Sequence, residues 1–500
     1  MPAPSMSTRV VRGLLWTGSP FVLQILITLL FYSSLKMGEM GQYEYALVIV
    51  MFLALLSSLG LGEALVQYQA ITDRHFSSAF WVAILCGVAI VALVNWIAPV
   101  AMDRFDFFRV ENPEQFEWIV STLVLLVPFA AVSGIFRARL QRDLEFRSMA
   151  IAEVVGIIAF AVAAIILLPS HGIRTPVISS VVREVALCLS LWLFCRWVPR
   201  FTVDLGSLRA IMSFGLHFTG SRCVNYTNSN LARFFIFPTL GEVAMGYYSF
   251  AHRLTLLPLT RLSTVVTRVF FPTFSTVQSD EALLRRGYLQ TVQSIALFTW
   301  PLVIILGVFA PQLMLAMRQL DGNDMSPALG VLRLLLLATA IKSVGAAVGS
   351  MFMAKGRADW TLYWSLFSFV VLVPSLMWGV SQGIEGIAGV IATTALLFLV
   401  LSQHFTNRLI QIGFADYLRP LTQPALVAGC TGILLWVVRS LMPGDSPAAI
   451  CLSVAVASAL ALTVSLRLFA SSLCLDLWSR LRGLKDVKAT AVRGDSTLSE

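Results

Sequence analysis

The chain has 500 residues, of which 57% are hydrophobic and only 13% charged, against roughly 25% charged in soluble domains. No polar region is long enough to build a soluble domain, so the composition points to a polytopic membrane protein. The net charge of +9 implies no nucleic-acid role, because its Lys and Arg follow the membrane topology laid out next.

Apolar stretches long enough to cross a hydrocarbon core of about 30 Å fall near residues 11–35, 41–67, 76–101, 116–138, 147–168 and 175–197. They continue near 209–237, 243–272, 287–316, 327–353, 360–380, 384–407, 420–441 and 447–470. This predicts an all-α fold of about 14 transmembrane helices. The N-terminus runs straight into the first segment without a small-residue cleavage site, so no removable signal peptide is expected. The longest polar joints are 103–114 and 275–286. Of the 36 Lys and Arg, 23 fall on one side of this map and 6 on the other. The positive-inside rule then places both termini in the cytoplasm.

Two short motifs recur. GLLWTGSP at 13–20 returns as GLHFTGSR at 215–222, and MGEMGQYEYA at 37–46 returns as LGEVAMGYYSFA at 240–251. The copies begin at the first and seventh segments, an even number of helices apart, so both enter the membrane in the same direction. This predicts two parallel six-helix lobes around a central cavity, residues 1–207 and 208–415, related by an axis along the membrane normal. Residues 416–472 would add two C-terminal helices, and 473–500 a cytoplasmic tail. The joint 199–207 reads equally as a hinge between lobes or an ordinary connection.

The seventh segment is the unusual one. Its middle holds Arg222, Asn225, Tyr226, Asn228, Asn230 and Arg233. An Arg at bilayer depth costs about 2.5 kcal/mol or more unless it faces water or a partner. Eleven residues make about three turns, so Arg222 and Arg233 share a face, and such a helix is expected to line an aqueous path. Other basic residues inside helices are Arg183 (beside Glu184), Arg253, Arg261, Arg333 and Lys342. Acids placed comparably deep are chiefly Glu63, Glu153 and Glu184. A basic surplus in low dielectric calls for an anion, and guanidinium forks match phosphate oxygens. Asn225, Asn228, Asn230 and Tyr226 supply groups that sugar hydroxyls need, as does a weaker stripe of Thr17, Gln24, Thr28 and Tyr32. Such amide and hydroxyl stripes also join helices to one another.

Further motifs lie between these elements: LGLGEALVQ at 59–67, Thr72-x-x-x-Phe76-Ser77-x-x-Phe80-Trp81, RARLQRDLEFRSMAIAEV at 137–154, GYYSFAHRLTLLPL at 246–259, VTRVFFPTFSTVQ at 266–278 and MAKGR at 353–357. Together with the two repeat openings, their order and spacing resemble the Wzx-type oligosaccharide-lipid flippases of the multidrug/oligosaccharidyl-lipid/polysaccharide (MOP) exporter superfamily, over roughly residues 9–415. The resemblance implies transfer of an undecaprenyl-pyrophosphate-linked sugar repeat unit from the cytoplasmic to the periplasmic leaflet of the bacterial inner membrane. It implies a cationic cavity for pyrophosphate and glycan, with the lipid tail left in the bilayer. Arg253, in AHRLTLLP, is the basic residue that falls in a family-like motif. Arg222 and Lys342, and behind them Arg261, Arg183 and Arg233, are chosen by charge and position. Alternating access driven by an inward proton or sodium gradient is implied as well, with Glu63 as the candidate coupling residue. A polysaccharide polymerase and glycosyltransferases are the implied partners beside the membrane lipids.

A drug exporter on the same fold is the alternative, but a site for organic cations favours acids, and the surplus here is basic. A membrane enzyme would need catalytic groups on a sizeable surface loop. The longest outer loop, with Asp103, Asp106, Glu111 and Glu114, is short and reads as a solvated face. The five histidines form no ligand set, and the seven cysteines read as buried and reduced. No catalytic role, metal or cofactor is expected.

Overall fold

A computed structural model describes residues 23–104 apart from 25, then 110–276, 281–321, 324–355, 358–441 and, beyond these, 458, 459 and 463. The described residues are almost wholly helical, with no strand among them. After α1 (26–34) come α2 (Met37–Ser57), α3 (Leu61–Gln67), α4 (Asp73–Arg104), α5 (Pro113–Leu123), α6 (Leu126–Arg142), α7 (Phe146–His171) and α8 (Arg174–Cys195). Then follow α9 (Leu205–Thr276), α10 (Glu281–Asp321), α11 (Ser326–Gly345), α12 (Val348–Ala354), α13 (Ala358–Val380), α14 (Gly383–Ile410), the short α15 (Phe414–Leu418) and α16 (Thr422–Leu441). Among the described residues, ten spans are long and apolar enough to cross a membrane. The predicted seventh and eighth helices lie within α9, most of the first lies outside the described residues, and so does the predicted last helix at 447–470.

Local chemistry explains the joints. Asn112 accepts from the Gln115 amide at 3.1 Å and Pro113 opens α5, a side-chain N-cap followed by the residue whose missing N–H costs nothing there. α9 bends at Gly241, whose φ of 85° and ψ of 179° fall in a region that suits only glycine. The predicted second helix is interrupted at 58–60, where Leu59 and Gly60 take φ of 46° and 61°. The apolar run hides this break, because burial demands the same residue types on both sides of it.

The chain forms two compact units. One comprises Met1–Phe250 and Leu362–Ile387, the other Ala251–Thr361 and Ala388–Glu500. The lobes read from the repeat, at 1–207 and 208–415, are a separate division. Within the first unit the two copies of the second repeat motif meet. A Cβ on Gly41 would strike the Glu242 carbonyl, and one on Gly246 the Met37 carbonyl. Buried Gln42 donates to buried Glu242 at 2.6 Å and accepts from Gln115 at 3.2 Å. Beside them Tyr45 stacks on Phe237 with ring centroids 4.1 Å apart. A larger apolar core joins Leu61, Leu65, Phe76, Phe80, Phe136, Leu191 and Trp197. In the second unit the core is built on Leu284, Tyr288, Val292, Val344, Met351 and Ile410.

The joint 199–207 is strapped down. Trp81 Nε1 donates to the Arg200 carbonyl at 2.9 Å, the Arg200 amide donates to Ser77 Oγ, and the Asp204 amide donates to Ser78 Oγ. Asp204 then caps α9 through the Gly206 and Ser207 amides.

Candidate functional site

The polar centre of the first unit lies on α9. A row at every fourth residue, Ser213, His217, Ser221, Asn225 and Ser229, is exposed throughout. Such a row is one of the oblique ridges of a helix surface, and its sixteen-residue length covers about 24 Å. Polar groups uncovered over such a length are unfavourable against acyl chains, which makes this ridge the candidate water-facing surface. His217 Nδ1 donates to the Ser213 carbonyl at 2.6 Å, so in the neutral ring Nε2 is left as an acceptor. Sequence reasoning singled out Asn225 of this row but missed Ser213, His217 and Ser221. The four-residue spacing was the available signal.

Arg222 stands beside this row, half-exposed, but it is not an uncompensated cation. Its Nη1 donates to Glu63 Oε1 at 2.6 Å, and its guanidinium lies 5.8 Å from the Phe218 ring. Glu63 is in the first turn of α3, just past the Gly60 break. The α3 start and α9 touch backbone to backbone there: a Cβ on Gly215 would sit 2.5 Å from the Leu59 carbonyl. That approach carries the Glu63 carboxylate within reach of Arg222. The expected charge surplus is therefore cancelled at this one position.

The amides and phenol of α9 make helix-to-helix bonds. Tyr226 donates to the Val48 carbonyl of α2 at 2.9 Å. Asn228 donates to the Ser365 carbonyl of α13 at 2.8 Å, and Ser365 Oγ donates to Asn225 Oδ1 at 3.2 Å. Asn230 donates to the Tyr226 carbonyl within its own helix, and Arg233 donates to Asn230 Oδ1 at 3.4 Å. Arg222 is exposed and Arg233 half-buried, so the shared face they were assigned runs from open space into a helix contact. In the α1 stripe, Thr28 bonds to the Gln24 carbonyl, and Tyr32 is wholly buried with its hydroxyl on buried Glu44 at 3.3 Å. Tyr32 therefore faces protein, not a cavity. Thr17 lies outside the described residues.

Arg183 is half-buried on α8 next to Glu184. In the second unit Arg253 is half-buried on α9. Lys342 is exposed on α11 and has no hydrogen bond or ion pair among the described residues. Arg261 lies outside the residues whose side chains are described, as do Asp103 and Asp106. Glu153 pairs with Arg137 at 3.9 Å. The buried acids Glu44 and Glu242 were not singled out from the sequence.

These features, an all-α chain with a polar, Arg-bearing helix among apolar spans, define a polytopic α-helical membrane protein, and its fold is shared with solved membrane transporters. The structure matches the lipid II flippase MurJ in an inward closed conformation, with a TM-score of 0.71 at 16% identity over 92% of this chain and 99% of that one. The profile described as polysaccharide biosynthesis protein matches residues 35–317, and the chain belongs to that family. It is 25% identical over 439 residues to the teichuronic acid biosynthesis protein TuaB of Bacillus subtilis (strain 168), covering 86% of this chain and 89% of the relative. It is 23% identical over 407 residues to the lipopolysaccharide biosynthesis protein WzxC of Escherichia coli (strain K12), covering 79% of each. The kinship with Wzx-type flippases expected from the motifs holds.

Proposed function

We propose that this protein moves an undecaprenyl-pyrophosphate-linked oligosaccharide repeat unit from the cytoplasmic to the periplasmic leaflet of the bacterial inner membrane. The observation that carries this is the exposed polar row of α9 with Arg222 at its side, in a chain whose other spans are apolar. Hydroxyl, amide and imidazole groups there can replace water around sugar hydroxyls as the glycan crosses. The Arg222–Glu63 pair is half-exposed, so a pyrophosphate can compete for the guanidinium, whose fork suits two phosphate oxygens. Arg253 and Lys342 are further cationic candidates, both in the second unit, and the lipid tail stays in the bilayer. Two repeat-related lobes, related by an axis along the membrane normal, rock against one another to give alternating access, with both termini cytoplasmic and an inward proton or sodium flow as the drive. The task is transport, with glycosyltransferases supplying the substrate and a polymerase consuming it.

The test replaces Arg222 and Arg253 together by alanine. Surface glycan is expected to disappear while the protein still inserts at normal abundance. Full export by that variant overturns the proposal.

A further inference from the structure

A cavity of about 480 Å³ lies in the first unit where α3 ends against the start of α9, within the roughly 300–1,000 Å³ typical of small-molecule sites. Its walls are Ala64, Gln67, Tyr68 and Gln69 on one side and Ala210 and Phe214 on the other. Ala210 and Phe214 are four residues apart on α9, on the ridge beside the one that begins at Ser213.

The wall is held in place by one residue. Arg142 Nη1 donates to the carbonyls of Leu65, Val66 and Tyr68 at 3.0, 3.3 and 2.7 Å, and Nη2 donates to the Gln69 carbonyl at 3.4 Å. The Leu65 and Val66 carbonyls are among those that the end of α3 leaves without partners, and Tyr68 and Gln69 follow directly after it. The guanidinium thus fixes the turn that presents Gln67, Tyr68 and Gln69, and it spends its donors on the backbone. The Tyr68 ring lies 5.9 Å from the His75 ring, which limits its swing. What remains facing the cavity is two aromatic rings, two neutral amides and no ion. Aromatic faces carry negative quadrupole density and attract the polarised C–H face of a sugar ring. Amides both donate to and accept from its hydroxyls.

We propose that this cavity is a neutral pyranose subsite, with Tyr68 and Phe214 as the stacking surfaces, Gln67 and Gln69 as the hydroxyl partners, and Arg142 as a positioning residue. It rests on the flippase reading above and adds to it a place for one sugar ring, separate from the Arg222 region that meets the pyrophosphate. Arg209, next to Ala210 in the chain, counts among the basic residues expected on the cytoplasmic side, where the substrate is first met.

The test uses the full-length protein in nanodiscs and three probes: undecaprenyl pyrophosphate, the same lipid bearing a neutral oligosaccharide, and that oligosaccharide free. The sugar-bearing lipid binds wild type more tightly than the bare one. Tyr68→Ala with Phe214→Ala erases that advantage, about a tenfold loss, while affinity for the bare lipid is unchanged and reports that the variant is folded. In a background without native cysteines, Phe214→Cys reacts with a water-soluble maleimide and is protected by the free oligosaccharide. Arg142→Gln weakens the sugar-bearing lipid alone, and Arg142→Lys restores part of it. If the sugar makes no difference to lipid binding or to labelling, the subsite falls and the flippase reading stands. If no pyrophosphate lipid binds wild type while free sugar still protects Phe214→Cys, the flippase reading falls and the subsite stands.

Discussion

Arg222 and Glu63 are 159 residues apart in sequence and joined by a 2.6 Å ion pair. The pair ties α9 to the first turn of α3, immediately after the backbone contact of Gly60 with Gly215. Half-exposed pairs of this kind contribute at most about 1 kcal/mol to stability. The pair therefore contributes little to folding, and on the proposed reading the carboxylate occupies the guanidinium until a phosphate replaces it.

From this follows a separation of stability from activity. Glu63→Gln is expected to shift thermal unfolding in detergent by only a few degrees and to leave binding of undecaprenyl pyrophosphate intact or tightened. Arg222→Gln is expected to leave the melting temperature similar but to weaken that binding at least tenfold. Equal loss of binding in both variants would show that the pair acts as a structural clamp.

Lys342 has the opposite setting, exposed on α11 without an ion pair among the described residues. No carboxylate is left behind when it is removed. Lys342→Gln is expected to insert and melt as wild type does while transport falls severalfold, and Lys342→Arg to keep most activity. Transport of a lipid-linked sugar into the outer leaflet of proteoliposomes reads both, and wild-type transport by Lys342→Gln would remove this residue from the substrate path.

Much of this architecture is legible from apolar run length alone, because a bilayer imposes one rule on every span. The polarity of α9 stands out for the same reason, since Arg222 and three asparagines within nine residues have no business facing lipid. Which of those groups meet water and which meet a neighbouring helix does not follow from spacing on one helix. Asn228 and Tyr226 reach α13 and α2, and no periodicity in α9 encodes where those helices lie. The Glu63 partnership is hidden likewise, because it depends on the break at Gly60 and on a close approach that glycine permits. Buried Glu242 depends on Gln42, two hundred residues away.

That Gln42–Glu242 bond makes a second separable expectation. Both groups are buried, and a buried polar group stripped of its partner costs about 1–3 kcal/mol. Gln42→Leu alone strands the Glu242 carboxyl and is expected to lower the melting temperature more than Gln42→Leu with Glu242→Leu. The double variant being the less stable would show that the two side chains act independently.

The glycine contacts carry a steric prediction. Gly60 combines φ of 61° with a neighbour that a Cβ would strike, and a Cβ on Gly215 would meet the Leu59 carbonyl at 2.5 Å. Left-handed backbone costs a residue with a side chain about 1–2 kcal/mol before any clash. Gly60→Ala and Gly215→Leu are each expected to destabilise the protein and to draw position 63 away from Arg222, so that in a Glu63→Cys background the thiol reacts more slowly with an anionic thiol reagent. Unchanged melting and unchanged reactivity would mean that the backbones separate without consequence.

Two loop carboxylates set the behaviour of the helix starts with pH. Hydrogen bonds from the Ser207 hydroxyl and the Gly206 amide hold the Asp204 carboxyl below its ordinary value before α9. The Ser326 hydroxyl and amide do the same for Asp324 before α11. A carboxyl whose folded pKa is depressed stabilises fully above its unfolded value, about 3.9 for Asp, and loses that contribution as pH falls through the lower folded value. Both groups therefore stay ionised between pH 5 and 8, and neither takes up a transported proton. After correction for intrinsic exchange, amide protection at 204–208 and 324–328 should be flat down to about pH 4 and fall below it. Asp204→Asn keeps the acceptor oxygen without the charge and should make protection at 204–208 independent of pH, leaving 324–328 as before. A loss of protection near pH 6 in wild type would instead show that Asp204 does not control the start of α9.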